Sequence, residues 1–435
     1  MKKDVVRFCA VGDSFLIEHP SRSDEELATL RAYISESDVA VTNVEANLHH
    51  FEADVYPAGE SGGDWAVASP EVLDALKWMG FNLFSAPNNH SLDFLQGGVM
   101  HTIQAFRNAN ACFAGIGENL AAAEAPAYIS VPGGRVALIA LNLSFEKWHV
   151  AGEQRRDCQG RPGINYVCHD DLYGVSGEVF SALMDIVKTY PGLGKMDGKE
   201  IQICGKVFVE GDGACTRARR EDVERIQRSI RRAKKQADIV LVSVHSHENR
   251  NGDPAKPAQF EEALAHACID AGADAYIGHG PHVVRGIEVY RDRPILYSLG
   301  NFFYQCELIE RSPEEFYHKF SEFDQTACTA DVFDYREQNG GMLGELNPEY
   351  YRSMMATFAM SLDGKLESLE IHPIDLVFKA KRSRKGTPRL AEGTVAEAVF
   401  AEVVDRSAAY GTHFEQKDNK LILKLKLGED NTEKP

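Results

Sequence analysis

The sequence predicts an α/β fold, a largely parallel sheet arrangement with helices on both faces. Three observations carry that prediction. Short apolar runs of strand length alternate with helical stretches from the start of the chain. One run, residues 238–244, is apolar after Asp238 except at Ser243, the composition of a strand covered on both faces. The ends of these runs gather polar, chemistry-bearing residues, and in parallel sheets the carboxyl ends of strands are where ligands bind.

Taken in order, residues 5–11 form a strand that stops at Gly12-Asp13. A helix is expected over 23–36: Ser23 can cap it, Asp24, Glu25 and Glu26 suit its positive end, and Leu27, Leu30 and Ile34 share a face. The strand 38–42 runs into Asn43-Val44-Glu45, and the polar, Gly-rich stretch 50–66 reads as a loop. A second helix opens at Ser69-Pro70, turns Val72, Leu73, Leu76 and Met79 inward, and stops at Gly80. The strand 81–86 delivers Asn88-Asn89-His90. A helix over about 98–109 follows, then strands around Val131 and over 136–141.

The rhythm breaks over 144–215, where Trp148, the charged run 153–157 and the segment 161–167 point to an inserted, ordered loop region with a helix near 181–189. It resumes with a helix over 217–236, whose Val223, Ile226, Ile230 and Ala233 pack while its basic side reads as solvated. The strand 238–244 ends in His245-Ser246-His247-Glu248, and a helix over 257–271 follows. The strand 273–277 then stops before His279 and His282, set around a Gly280-Pro281 turn in which glycine permits the kink and proline fixes φ. Strands over 283–290 and from Ile295 into Gly300-Asn301 come next. An acidic, aromatic-rich insertion over 306–351 leads to a hairpin, 353–362 and 366–372, around Asp363-Gly364. The chain closes with a basic run over 379–385 and an alternating strand over 421–427.

Bulk properties exclude several classes. A length of 435 residues allows two or three domains, or a single α/β core with insertions. A formal charge of -18 argues against nucleic acid or an anionic membrane as partner. No window has the length and apolarity of a membrane span, and the apolar run after the first lysines is too short for a signal peptide. The nine cysteines are scattered without a CxxC pair, the usage of a reducing compartment, so a cytoplasmic location is expected.

Eight residues at strand ends form one chemical set: Asp13, Glu45, Asn89, His90, His245, His247, His279 and His282. Carboxylate, amide oxygen and imidazole suit a divalent cation such as Zn, Mn, Fe or Co, and a bridging carboxylate would hold one or two ions. Each residue alone has a structural reading; Asp13 can cap a turn and His245 can be a hydrogen-bonded core histidine. What argues for a centre is all eight falling at strand ends.

In order, Gly12-Asp13, Asn43-Val44-Glu45, Asn88-Asn89-His90-Ser91-Leu92-Asp93, Arg161-Pro162-Gly163, His245, Pro281-His282 and Tyr297-Ser298-Leu299-Gly300-Asn301-Phe302 resemble the CapA family of capsule (poly-γ-glutamate) biosynthesis proteins. That family is similar to the calcineurin-type metallophosphoesterases, and the likeness covers residues 5–375. It implies a calcineurin-like metallophosphoesterase four-layer α/β/β/α sandwich; the insertions 144–215 and 306–351 are expected to line a substrate cleft, and residues 376–435 to form a C-terminal extension. It also implies Asp13, Glu45, Asn89, His245 and His282 as ligands of one or two divalent ions, and His90 as the acid/base group. The departures are informative: Ser14-Phe15 follow Asp13 where the pattern has Asp-x-His, Gly280 stands where it has the first histidine of His-Pro-His, and Ser246-His247 follow His245. They leave His279 and His247 as replacement ligands or as free catalytic bases.

The expected activity is metal-dependent modification of a peptide or amino-acid amide, in first place Cα epimerisation (an isomerase), since some soluble proteins that resemble CapA are epimerases of lasso-peptide precursors. Hydrolysis of a poly-γ-glutamate-like amide or a phosphoester is the alternative, and a non-catalytic accessory of capsule polymer synthesis is another. Arg161, Trp148 and Asn301 are the expected substrate contacts, Arg161 as a clamp for a carboxylate.

Overall fold

The computed structural model describes residues 5–320, 323–339 and 347–425. Two sheets face one another. The first has ten strands; its path runs Phe414–Lys417, Lys420–Leu423, Leu366–Asp375, Arg352–Ser361, Val5–Phe15, Val39–Val44, Leu83–Ser85 and Phe113–Ala114, with Asn301–Tyr304 also pairing on Val5–Phe15. The second has six: Ile287–Tyr290, Arg293–Leu296, Ala275–His279, Ile239–His245, Gly134–Asn142 and Ala127–Val131.

The two-residue period of a strand explains the layering. In the first sheet Val6, Phe8 and Ala10 face the second sheet, while Cys9 and Val11 turn to the other side. In the second, Leu138, Ala140, Leu241 and Ile277 share the core between the sheets, whereas Ile139, Leu141, Val240 and Val242 face outward. Both outer faces are apolar, so both need helices. Glu25–Ser35, Val72–Met79 and Leu95–Asn108 cover the first with Leu27, Leu30, Leu73, Leu76, Val99 and Ile103. Arg220–Ala233 and Gln259–Asp270 cover the second with Ile226, Ile230, Phe260 and Leu264. This is the α/β/β/α sandwich.

Several expectations are refined. The first helix is capped by Asp24, whose side chain accepts from the Glu26 and Leu27 amides, while the Ser23 hydroxyl bonds Ser21. The inserted region carries a sheet of its own, five strands within 169–218, packed by the helix Gly177–Thr189. Within 306–351 the described residues include helices Glu314–Phe320 and Thr329–Gln338, while 321–322 and 340–346 lie outside them. The C-terminal segment extends the first sheet: Lys420–Leu423 pairs on Leu366–Asp375, and the helix Gly393–Ala408 sets Ala396, Val399, Phe400 and Val403 into the core between the sheets. Of the strand expected over 421–427, residues 426 and 427 lie outside the described residues. The basic run 379–385 is neutralised locally: Arg382 pairs with Glu307 and Asp334, Arg384 with Asp24 and Glu26, Lys385 with Glu307 and Glu337. No helix among the described residues is long and apolar enough to cross a membrane.

Registers set the site. In the first sheet Asp13 lies opposite Asn43 on one side and Asn301 on the other. In the second, His245 lies opposite His279. Gly12 allows the first of these approaches, because a Cβ there would sit 1.9 Å from the Gly300 carbonyl oxygen. The amide of Asp13 donates to that same carbonyl at 3.0 Å.

Candidate metal centre

The first strand runs past the expected stop to Phe15, and Asp13 lies just inside its end with no exposed surface and both oxygens occupied. Oδ1 accepts from Asn43 Nδ2 at 2.7 Å and Oδ2 from the Gly280 amide at 2.8 Å. The second bond crosses from one sheet to the turn that follows the other, and Gly280 makes that turn at φ 112. Around Asp13 stand three imidazoles: His245 Nδ1 at 3.6 Å, His279 Nδ1 at 3.8 Å and His282 Nδ1 at 4.0 Å.

Glu45, one residue beyond the strand Val39–Val44, faces the same group. Its Oε1 lies 3.6 Å from His245 Nε2 and 3.8 Å from His282 Nε2. The side chain is fully buried, and neither carboxylate oxygen has a hydrogen-bond partner. An unpartnered buried carboxylate is costly, so a native fold that keeps one points to an ion or ligand. His279 repeats the pattern, with no exposure and no partner on either ring nitrogen. Asn89 Oδ1 lies 2.8 Å from His245 Nε2, and His247 Nε2 is 3.3 Å from that nitrogen. Donor atoms of Asp13, Glu45 and His245, and of Glu45, His247 and His282, each lie within 4.8 Å of one another. Seven of the eight residues, all but His90, are thus brought together by these distances, and they fit a divalent cation in donor type and in unmet bonding.

The electrostatics agree. Burial, and then the charges of Asp13 and Asp93, push the Glu45 carboxyl well above its usual range. Burial also raises Asp13, but the hydrogen bond and charge of His245, with His279 and His282, outweigh it and hold Asp13 below the carboxylate range. His279 and His282 are pushed down to about 4 by burial, and burial with neighbouring imidazoles puts His247 well below its ordinary value. These are neutral imidazoles with lone pairs to give, the state a metal ligand requires.

His90 is different. Its Nδ1 lies 2.7 Å from Asp93 Oδ2, and its ring meets the edge of Phe15 at 5.6 Å. Burial favours the neutral ring, but the charge and hydrogen bond of Asp93, with Asp64, outweigh it, so His90 holds its proton more tightly than a free histidine.

Asn301 has its polar atoms committed: Oδ1 holds His282 Nδ1 at 2.8 Å, and Nδ2 donates to the carbonyl of Tyr350 at 3.0 Å. Fully buried, it orients a histidine and has no free group for a substrate. Arg161 is exposed and folds its guanidinium onto the Val150 carbonyl of its own loop. Trp148 packs edge-on to His149 at 5.5 Å, and its buried indole nitrogen has no partner. Neither makes a hydrogen bond or ion pair with the eight-residue group.

Four further residues shape the centre. Asn43 bridges Asp13 and His245, and Asp93 anchors His90. His149, 1% exposed with both ring nitrogens unpartnered, is pushed down to about 4 by burial and then by the charge of His90. Arg285, fully buried, binds Glu261 and the carbonyls of Glu248 and Pro254, which pins the loop after His247. Asn43 and Asp93 sit in motifs visible in the sequence; His149 and Arg285 carry no such signal.

A model of the family described as Bacterial capsule synthesis protein PGA_cap matches residues 8–305. Uncharacterized protein y4sH of Sinorhizobium fredii is 34% identical over 94% of this chain and 89% of its own length. Capsule biosynthesis protein CapA of Bacillus anthracis is 28% identical over 54% of this chain and 43% of its own. A Probable polyglutamine synthesis accessory protein of Mycobacterium tuberculosis is 27% identical over 53% and 47%. The chain thus spans less than half the length of the last two.

Proposed function

The chain belongs to the family of bacterial capsule synthesis protein PGA_cap, and from that membership we propose that it is a divalent-metal-dependent enzyme acting on amide-linked amino-acid chains. The observation that carries this reading is Glu45, fully buried with both oxygens unpartnered and facing the ring nitrogens of His245 and His282. Asp13, Glu45, Asn89, His245 and His282 would hold the ion, one of Mn, Zn, Fe or Co. When bound, such an ion withdraws charge from a carbonyl oxygen and so acidifies the adjoining Cα–H and activates the carbonyl carbon.

The chain's own residues supply the proton chemistry. His247 is held neutral and can accept a proton, while His90, anchored by Asp93, holds one to give. His279, neutral and unpartnered, is a second ligand or base. A neutral base and an acid that holds its proton more tightly than a free histidine, both buried, suit exchange of a Cα proton, which inverts the centre without breaking the chain. Hydrolysis of an amide or phosphoester would use the same two groups on water.

A non-catalytic accessory role is the second reading, favoured by the likeness to the Probable polyglutamine synthesis accessory protein of Mycobacterium tuberculosis. Incubating the metal-loaded protein with γ-linked and α-linked glutamyl peptides in deuterated water separates the readings. Deuterium at Cα without fragments supports epimerisation, and fragments support hydrolysis. Unchanged peptides in the presence of a full metal site would leave the accessory role.

A further inference from the structure

The centre is closed. Asp13, Glu45, His245 and His279 have no exposed surface, and Asn89 and His90 keep only 5% and 4%. An amino-acid chain reaches them only when some covering element moves aside. The strands that carry Asp13 and His245 are paired on both sides within their sheets and are held in place. The segment 59–64, Gly-Glu-Ser-Gly-Gly-Asp, is held far less firmly.

This segment lies between the centre and solvent. The Gly62 carbonyl accepts from Asn89 Nδ2 at 3.2 Å, yet Gly62 itself is exposed. A Cβ on Gly62 would sit 2.4 Å from that same nitrogen, and one on Gly63 would sit 3.6 Å from His90 Cε1. The bare backbone therefore rests directly on Asn89 and His90. Both ends of the segment are fixed. Ala58 and Trp65 are buried, and the Trp65 indole donates to the Ala58 carbonyl at 2.9 Å. Asp93 accepts the Ala58 amide at its carbonyl at 2.7 Å and the Ala66 amide at Oδ2 at 2.8 Å. The tip between them carries no apolar side chain and belongs to no helix or strand. Moving it aside exposes no apolar side chain of its own, so polar contacts alone oppose the motion.

Two of those contacts come from the inserted region 306–351. Arg336, on the helix Thr329–Gln338, donates through Nη1 to Asp64 Oδ1 at 2.5 Å, an ion pair with both side chains largely buried. Lys319, on the helix Glu314–Phe320, donates to the Gly63 carbonyl at 2.9 Å. Each helix thus grips the same short loop at neighbouring residues. We propose that Arg336 and Lys319 are positioning residues that hold segment 59–64 as a gate across the centre, so that the insertion controls access to Asn89 and His90. It rests on the reading of the centre as a metal site, and it adds the element that opens it.

Exchange of Zn²⁺ tests it in the full chain. Release from the zinc-loaded protein into excess chelator, and uptake by the stripped protein, are timed for the natural sequence, Arg336→Gln and Lys319→Met. Each variant is expected to raise both rates by about tenfold with Kd unchanged, because losing one charge-assisted hydrogen bond favours the open loop in loaded and empty protein alike. Arg336→Lys, which keeps the charge, is expected to fall between. Cleavage after the exposed Glu60 by a glutamate-specific protease gives a readout without metal. In the metal-free protein it is expected to quicken about tenfold in both variants, since it follows the population of the open loop. Unchanged exchange together with unchanged cleavage would overturn the proposal. So would faster release without faster uptake, because a weaker Kd means that these residues shape the ligands and not a cover. Lys319 is exposed, so Lys319→Met decides the matter if Arg336→Gln fails to fold. If no protein takes up zinc, the metal-site reading falls, and cleavage at Glu60 decides the gate on its own.

Discussion

The ends of the two main sheets and the small inserted sheet within 169–218 follow opposite rules. At the main-sheet ends, Asp13, Glu45, His245 and His279 are fully buried, and Glu45 and His279 have no hydrogen-bond partner. In the insertion, polar groups are paired and apolar ones are left out: Arg217 holds Glu200 through two bonds and Lys206 holds Asp171, while Val179, Ile186, Tyr190, Leu193 and Met196 are exposed. Buried polar groups without partners oppose folding, and a region that keeps several is shaped by something other than stability. The comparison separates a part of the molecule strained for chemistry from a part that is merely folded.

Removing the ion set should break that contrast most strongly. Asp13→Ala is expected to lose the metal and with it all turnover, since Asp13 ties Asn43, Gly280 and three histidines together. Glu45→Leu is expected to lose metal as well, yet to raise the melting temperature of the metal-free protein, because it replaces an unpartnered buried carboxyl by an apolar group of similar size. The gain is on the order of 1–3 kcal/mol. Metal analysis and thermal melts with and without chelator measure both; a less stable metal-free Glu45→Leu would mean that Glu45 is a structural residue.

His90→Ala sharpens the contrast within the centre. It is expected to keep the metal and lower turnover by about 10²–10⁴, the usual range for a positioned proton donor. Steady-state rates at equal metal loading test it, and undiminished turnover would remove the acid/base assignment.

What the sequence makes legible follows from the same division. Asp13, Glu45 and His245 stand where apolar runs stop, and a buried strand that ends in a polar residue is visible without coordinates. The apolar faces of the outer helices are legible for the same reason. The inserted sheet is not: its strands are short and half-exposed, as in His169–Val175 with only Leu172 buried, so no two-residue period develops. His149 is hidden because its role depends on how the insertion folds back toward His90. Asn301 misleads, since its place in a family motif does not reveal that His282 and Tyr350 take its polar atoms. The C-terminal strands read as an appendage because each is four residues long, and only the pairing of Lys420–Leu423 on Leu366–Asp375, with Phe414–Lys417 on its far side, makes them part of the sheet.

Acid should separate buried from exposed histidines. His372, two strands over from the one that carries Asp13, packs on Tyr33 at 5.2 Å and lies 3.0 Å from the Thr357 hydroxyl through Nε2. Burial pushes it down to about 4 from an ordinary 6.5. The unfolded chain therefore takes up a proton between these values that the native chain does not. Its contribution is fully present above pH 6.5 and is lost as pH falls toward 4, by at most about 3 kcal/mol. Urea unfolding of the metal-free protein across that range is expected to show the decline, to which His279, His282 and His247 also contribute, and His372→Gln to make it shallower by the uptake of one proton; an unchanged slope would assign the acid loss to other groups.

The smallest effect belongs to the insertion, and it tests whether that region is as separate as its chemistry suggests. Glu200→Gln removes the charge from a two-bond pair with Arg217 whose side chains are 34% and 48% exposed. Such pairs contribute about 0–1 kcal/mol because solvent screens them and two long side chains must be ordered to make them. The pairing lowers the Glu200 carboxyl through its hydrogen bond to Arg217, but the group stays solvated. Stability is therefore expected to shift by less than about 1 kcal/mol, with metal content and turnover unchanged. If turnover falls while metal content holds, the inserted sheet takes part in positioning substrate, because the substitution leaves every ligand and His90 untouched and acts only through the placement of the strands around residue 200.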